Sequence, residues 1–123
     1  MSKRIERLAE AAYKEALKSS GKQRHGAVVV GNGGRILAKA CNHYGSGLHA
    51  EVRALKRVAH DAKDSVEELV VVRLRKSQKF GLSKPCKECA DAIKAAKIKV
   101  VYYSTNGEVL GFDTYEDEPL EEE

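Results

Sequence analysis

Between Leu69 and Leu74 every residue is apolar except Arg73. A short, unbroken apolar run of this kind reads as a strand buried on both faces, so the fold has to cover a sheet from two sides. The neighbouring segments supply the cover. Ile5, Leu8, Ala9, Ala12, Ala16 and Leu17 recur at helical spacing and predict an amphipathic helix over residues 3–19, ended by Ser19-Ser20-Gly21. Ala27 to Val30 is a β-branched strand, Gly31 to Gly34 is turn chemistry, and Arg35 to Asn42 reads as the returning strand of a hairpin. After a Gly45-Ser46-Gly47 loop, a helix is expected from His49 to His60, with Ala50, Ala54, Leu55 and Val58 inward. Beyond the central strand, a polar loop over Arg75–Lys84 leads to Pro85, which suits the first turn of a helix running to Ala96. Val100 to Tyr103 is the next strand, Asn106-Gly107 a hairpin signal, and Val109 to Phe112 the last strand.

Two strands each followed by a crossover helix imply an α/β layered domain with a mixed five-stranded sheet flanked by helices. The connection at Thr105–Gly107 is too short for a crossover, so the last strand is predicted to run antiparallel to its neighbour. Residues 1–113 are expected to form the single domain and residues 114–123 an acidic, frayed tail. No apolar run approaches the ~20 residues that span a bilayer, and Glu6 and Glu10 stand where a signal peptide needs an apolar stretch. A cytoplasmic protein without membrane contact is therefore expected.

Charge is unevenly spread. From Glu108 onward there are eight acidic side chains and no basic one, so residues 1–107 carry a net +12. A body this basic suits a phosphorylated or polyanionic partner, although lysines and arginines also simply solvate helix faces. Three cysteines, two of them in a C-x-x-C, favour a metal or redox site over a disulfide framework.

The chemistry concentrates in two fragments, His49-Ala50-Glu51 and Pro85-Cys86-Lys87-Glu88-Cys89. Each alone is weak. Cys41 is the only other cysteine, so a four-cysteine zinc site within one chain is impossible, and His49 can complete a set with Cys86 and Cys89 if the two helix starts are neighbours. Helix N-termini present free N–H groups and partial positive charge, which favour thiolate. Three protein ligands leave a fourth tetrahedral position open, as a catalytic zinc ion requires, and zinc brings the ionisation of water toward neutral pH. Glu51, two residues from a ligand, can then act as the proton shuttle.

His-Ala-Glu followed by Pro-Cys-x-x-Cys is the signature of the cytidine deaminase-like superfamily, which the chain resembles from about Arg24 to Ser104. Gly26 to Val30 is similar to that family's first strand and Ile98 to Tyr103 to its fourth. The resemblance implies a Zn2+ cofactor on His49, Cys86 and Cys89, with Glu51 catalytic. It implies Asn42 and His25 as substrate contacts, Asn42 on the sugar; Ala50, beside the first ligand, and Tyr44, on the loop entering the zinc helix, are further candidate contacts. A histidine as first ligand is similar to the deoxycytidylate, tRNA-adenosine and polynucleotide-cytosine branches. The loop over Arg75–Lys84 and the antiparallel last strand depart from the tRNA-adenosine and deoxycytidylate patterns.

Each remaining candidate has a plain alternative. Asn42 could close a turn, His25 could sit in a solvated loop, and Tyr44 could stack on a base or merely pack. Arg73, Arg75, Lys76 and Lys79 could hold phosphate or form a solvated edge. Cys41 reads as a small core residue. The expected activity is hydrolytic deamination of a cytosine-type nucleotide or nucleoside, with ammonia released, by a homo-oligomer. The alternatives are a deaminase acting on cytosine or adenine in RNA or single-stranded DNA, and a non-catalytic zinc-stabilised binding module, which Glu51 argues against. A thiol oxidoreductase would leave His49 and Glu51 without roles.

Overall fold

The computed structural model describes residues 3–43, 49–77, 79–105 and 110–114, apart from the side chains of Asp64, Leu110 and Asp113. Helix α1 spans Lys3–Leu17, and strands β1 (Arg24–Gly31) and β2 (Ile36–Cys41) form the first hairpin. Helix α2 (Ala50–Arg57) leads through a 3₁₀ turn, His60–Ser65, into β3 (Val66–Leu74). A two-residue strand β4 (Phe80–Gly81) precedes helix α3 (Lys87–Ala95), followed by β5 (Val100–Ser104) and β6 (Leu110–Thr114).

The main sheet runs β2-β1-β3-β5-β6, with β4 pairing the end of β3. Among the described residues only β3 and β5 are parallel neighbours, and the expected antiparallel last strand is present, Val100 facing Thr114 and Ser104 facing Leu110. The expected turn at Asn106-Gly107 lies outside the described residues.

The apolar run does what its composition demands. Leu69, Val70, Val71 and Val72 are all inaccessible to solvent. Val70 and Val72 join Val28 and Val30 under the α1 stripe of Ile5, Leu8, Ala12 and Ala16. Leu69 and Val71 join Ala27 and Val29 on the other face, beneath Ala50, Ala54 and Ile93 of α2 and α3. The period of two along β1 and β3 thus feeds two cores, one for each helical layer. Close seating of α1 depends on Gly26, where a Cβ would collide with the Ala12 carbonyl oxygen and the Ala16 nitrogen.

Three expectations need correction. The loop over Arg75–Lys84 is partly a hairpin: β4 returns along β3, with Arg73 facing Gly81 and Leu74 facing Phe80. Phe80 is drawn back because its ring packs edge-on against Tyr13 of α1. Helix α2 stops at Arg57 rather than His60, since Val58 is extended and buried and turns the chain. Pro85 precedes α3 instead of entering its first turn, because Cys86 takes the extended N-cap conformation. Among the described residues no helix is long and apolar enough to cross a membrane.

Candidate metal centre and active site

β2 and β3 both run antiparallel to β1, so they point the same way. A helix that follows a strand starts near that strand's end, and the two-residue β4 keeps the chain beside the end of β3, which puts the N-termini of α2 and α3 at one edge of the sheet. His49 is the N-cap of α2 and Cys86 the N-cap of α3, both with extended backbones. Their carbonyls open the helices, accepting from the Arg53 and Ala90 N–H groups at 3.0 and 2.8 Å. Cys89 stands three residues after the cap, the spacing at which a cap side chain meets the first turn.

The result is a compact donor set. His49 Nδ1 lies 3.0 Å from Cys89 Sγ and 3.6 Å from Cys86 Sγ. All three ligand atoms fall within 4.8 Å of one another. Bonds of about 2.0–2.1 Å to nitrogen and 2.3 Å to sulfur in a tetrahedron separate N from S by about 3.6 Å, so one zinc ion fits these donors. His49 and Cys86 are exposed and Cys89 is buried, which anchors the set on one side and leaves it accessible on the other.

Glu51, in the first turn of α2, is only 5% exposed. Burial raises its pKa, opposed by its own backbone N–H, by His49 and by Cys89. The Cys89 thiol is pushed up strongly, by burial first and by Glu51 second. Desolvation and the neighbouring carboxylate thus oppose the partial positive charge of the helix end at Cys89. A buried carboxyl against the Cys89 sulfur and beside the His49 imidazole is a donor environment that suits a cation.

A cavity of about 350 Å³ opens beside the set, lined by His49, Glu51 and Cys86 together with His25, Asn42 and Ser83. Asn42 Oδ1 accepts from the His25 backbone N–H and from Ser19 Oγ, both at 2.8 Å, while its Nδ2 donates to the Gln23 carbonyl at 2.6 Å. Asn42 therefore staples the entry of β1 to the end of β2, and also lines the cavity. His25 Nδ1 lies 3.1 Å from Ser83 Oγ. Burial first, then the charges of Arg73 and His49, lower the His25 pKa to about 4.

The other candidates are placed differently. The Ala50 side chain is inaccessible, within the core under α2. Tyr44 lies outside the described residues. Arg75, Lys76 and Lys79 are exposed, whereas the Arg73 guanidinium packs against Gly81, with Nη1 3.4 Å from the Leu82 carbonyl. Cys41 is buried, as a core residue should be, with Sγ 3.6 Å from His43 Nε2.

Two serines escaped sequence reading. Ser104, fully buried at the end of β5, accepts from the Arg73 N–H at 2.9 Å and donates to the Gly81 carbonyl at 2.6 Å. Its own carbonyl takes the Ser83 N–H at 2.9 Å, holding the segment that leads to Cys86. Nothing in the spacing marks either residue; their roles depend on strands brought together by the fold.

A layered α/β domain with an accessible His/Cys/Cys set and an adjacent buried carboxyl defines a zinc-dependent hydrolase site. The sequence model described as the cytidine and deoxycytidylate deaminase zinc-binding region matches residues 2–105, and the chain belongs to that family. It superimposes on cytidine deaminase from Burkholderia pseudomallei with a TM-score of 0.68 at 19% identity, covering 94% of each chain, a likeness that shows the fold. Its match to the dCMP deaminase of cyanophage S-TIM5 has a TM-score of 0.62 at 30% identity, covering 84% of both chains. A diaminohydroxyphosphoribosylaminopyrimidine deaminase/reductase from Thermotoga maritima matches with a TM-score of 0.58 at 26% identity, over 81% of this chain and 29% of that one. A search of the curated proteins found no match.

Proposed function

We propose that this deaminase-family hydrolase converts a cytosine-type nucleotide or nucleoside to the uracil-type product, releasing ammonia. The observation that carries the reading is Glu51, a buried carboxyl that lines the same cavity as His49 and Cys86. A structural zinc site has no use for such a group. His49, Cys86 and Cys89 would hold the zinc ion, which supplies Lewis acidity and eases ionisation of a water near neutral pH.

Glu51 accepts the proton of the attacking water and returns it, first to the ring nitrogen and then to the departing amine. Water adds across the C=N bond, the C–N bond to the exocyclic amine breaks, and a carbonyl replaces it with no change of oxidation state. His25, held by Ser83, and Asn42 form the wall that orients the base and its sugar. A cavity of about 350 Å³ suits one nucleoside-sized ligand and is at the small end for ligand sites. The cyanophage relative was also solved in complex with dCMP and dUMP, which supports a pyrimidine nucleotide.

A second reading, deamination of a base within RNA or single-stranded DNA, draws support from the net +12 of residues 1–107. The deciding experiment is an ammonia-release screen over bases, nucleosides, nucleotides and short oligonucleotides. Turnover of a free cytosine nucleoside or nucleotide supports the first reading. Ammonia from oligonucleotides alone would replace it with the second. We further expect a homo-oligomer, the usual way in which small soluble chains associate.

A further inference from the structure

At the end of the sheet opposite the metal ligands, the C-terminal parts of α2 and α3 leave a groove of about 630 Å³. Its floor is apolar, formed by Leu55, Val58, Val66 and Ala96, and its rim carries Lys56, Lys63 and Lys97. All three lysines are exposed, and among the described residues none has an ion-pair partner. Lys97 is held at φ 62, the left-handed conformation that ends α3. An apolar floor under three unneutralised cations fits an acidic peptide with an apolar centre better than a neutral ligand.

The topology brings such a peptide to the same end. β6 runs antiparallel to β5, and its last residue, Thr114, pairs with Val100, three residues beyond Lys97. The segment that follows, Tyr115 to Glu123, contains Glu116, Asp117, Glu118, Glu121, Glu122 and Glu123 around a central Pro119-Leu120. Nine extended residues span about 30 Å. A helix is about 10–12 Å across, so the segment is long enough to pass the end of α3.

We propose that segment 115–123 docks in this groove of its own chain, with Pro119 and Leu120 on the apolar floor and the flanking carboxylates against Lys56, Lys63 and Lys97. Proline lowers the conformational entropy lost on docking. The lysines belong to α2, to the turn before β3 and to the end of α3, so the docked segment ties together two helices whose opposite ends carry the metal ligands. The cavity beside Glu51 stays open, because it lies at the other edge of the sheet. The reading is independent of the substrate.

Carbodiimide coupling of the full zinc-loaded chain, mapped by mass spectrometry on an equal mixture of ¹⁴N- and ¹⁵N-labelled protein, tests this. The expected products are amide links from Glu116–Glu123 to Lys56, Lys63 or Lys97 within single-isotope chains. They should be suppressed at high salt, and their yield should fall severalfold in Leu120→Ser. Links to Lys76, Lys79 or Lys84 instead, mixed-isotope links showing a second copy as the acceptor, or no links from the segment would overturn the proposal. So would an unchanged yield in Leu120→Ser, which would reveal diffuse charge attraction without a seat on the floor.

Discussion

His49 Nδ1 and Cys89 Sγ lie 3.0 Å apart although forty positions separate them in the chain. The contact exists because two helices start at the same edge of one sheet. It makes the metal site a property of the folded core, so losing the site should be felt by the whole domain.

Replacing Cys86 by alanine should abolish zinc binding and lower the thermal midpoint of the purified protein. Metal affinity for a preformed site is folding free energy, and two remaining donors do not complete a tetrahedral set. Metal analysis should fall from about one zinc per chain to near zero. Full zinc retention in Cys86→Ala would remove Cys86 from the ligand set.

Glu51→Gln keeps the shape of the buried side chain but not its ability to take a proton. Zinc content and thermal midpoint should stay near those of the parent, while turnover drops on the order of 10²–10⁴-fold or more. A parent-like rate in this variant would reduce Glu51 to a packing residue of α2.

His25 should stay neutral through the physiological range. Its folded pKa is about 4 against an ordinary 6.5, because burial disfavours the imidazolium and Arg73 and His49 oppose it. The unfolded chain therefore binds this proton first as pH falls. The associated stability is complete above pH 6.5 and is lost progressively toward pH 4, to a total of about 3 kcal/mol. An NMR titration of the His25 ring with a midpoint near 6.5 would contradict the burial argument.

Gly26→Ala should be among the most damaging single changes. The added Cβ meets α1 backbone atoms at Ala12 and Ala16, which cannot yield as a flexible side chain could. Overpacking costs typically 1–3 kcal/mol, and a backbone collision should lie at or above the top of that range. A denaturant midpoint within error of the parent would show that α1 can lift off β1 freely.

The exposed basic cluster offers a test of phosphate recognition. If Arg75 and Lys76 grip phosphate, Arg75→Glu should raise KM for a monophosphate severalfold and leave the nucleoside KM unchanged. Equal effects on both substrates would assign the change to folding of the β3–β4 hairpin. Arg73 is a poorer choice of variant, since its guanidinium packs against Gly81 and the Leu82 carbonyl and reversing its charge would also disturb the β3–β4 hairpin.

Much of the architecture was legible because its causes are local. A period of 3.6 in residues 3–17 and an apolar run at Leu69–Leu74 are burial patterns written directly in side-chain order. The short connection after Ser104 dictated an antiparallel last strand, as β6 proves to be. β4 was missed because two residues, Phe80 and Gly81, carry no periodicity; the Tyr13 ring and the Ser104 hydroxyl, both distant in sequence, hold them to the sheet.

The same division runs through the site. Cys86 and Cys89 were legible as a pair because three residues span one helical turn, and His49-Ala50-Glu51 because a ligand and a proton carrier need only be neighbours in the chain. Their meeting, the burial that lifts the Cys89 thiol, the stapling of Asn42 to Ser19 and Gln23, and the Ser104 bridge between Arg73 and Gly81 were decided by tertiary structure. Spacing along a helix or strand follows from backbone geometry, whereas desolvation and long-range hydrogen bonds depend on which elements pack together, and that is settled only when two crossover helices lie down on one face of the same sheet.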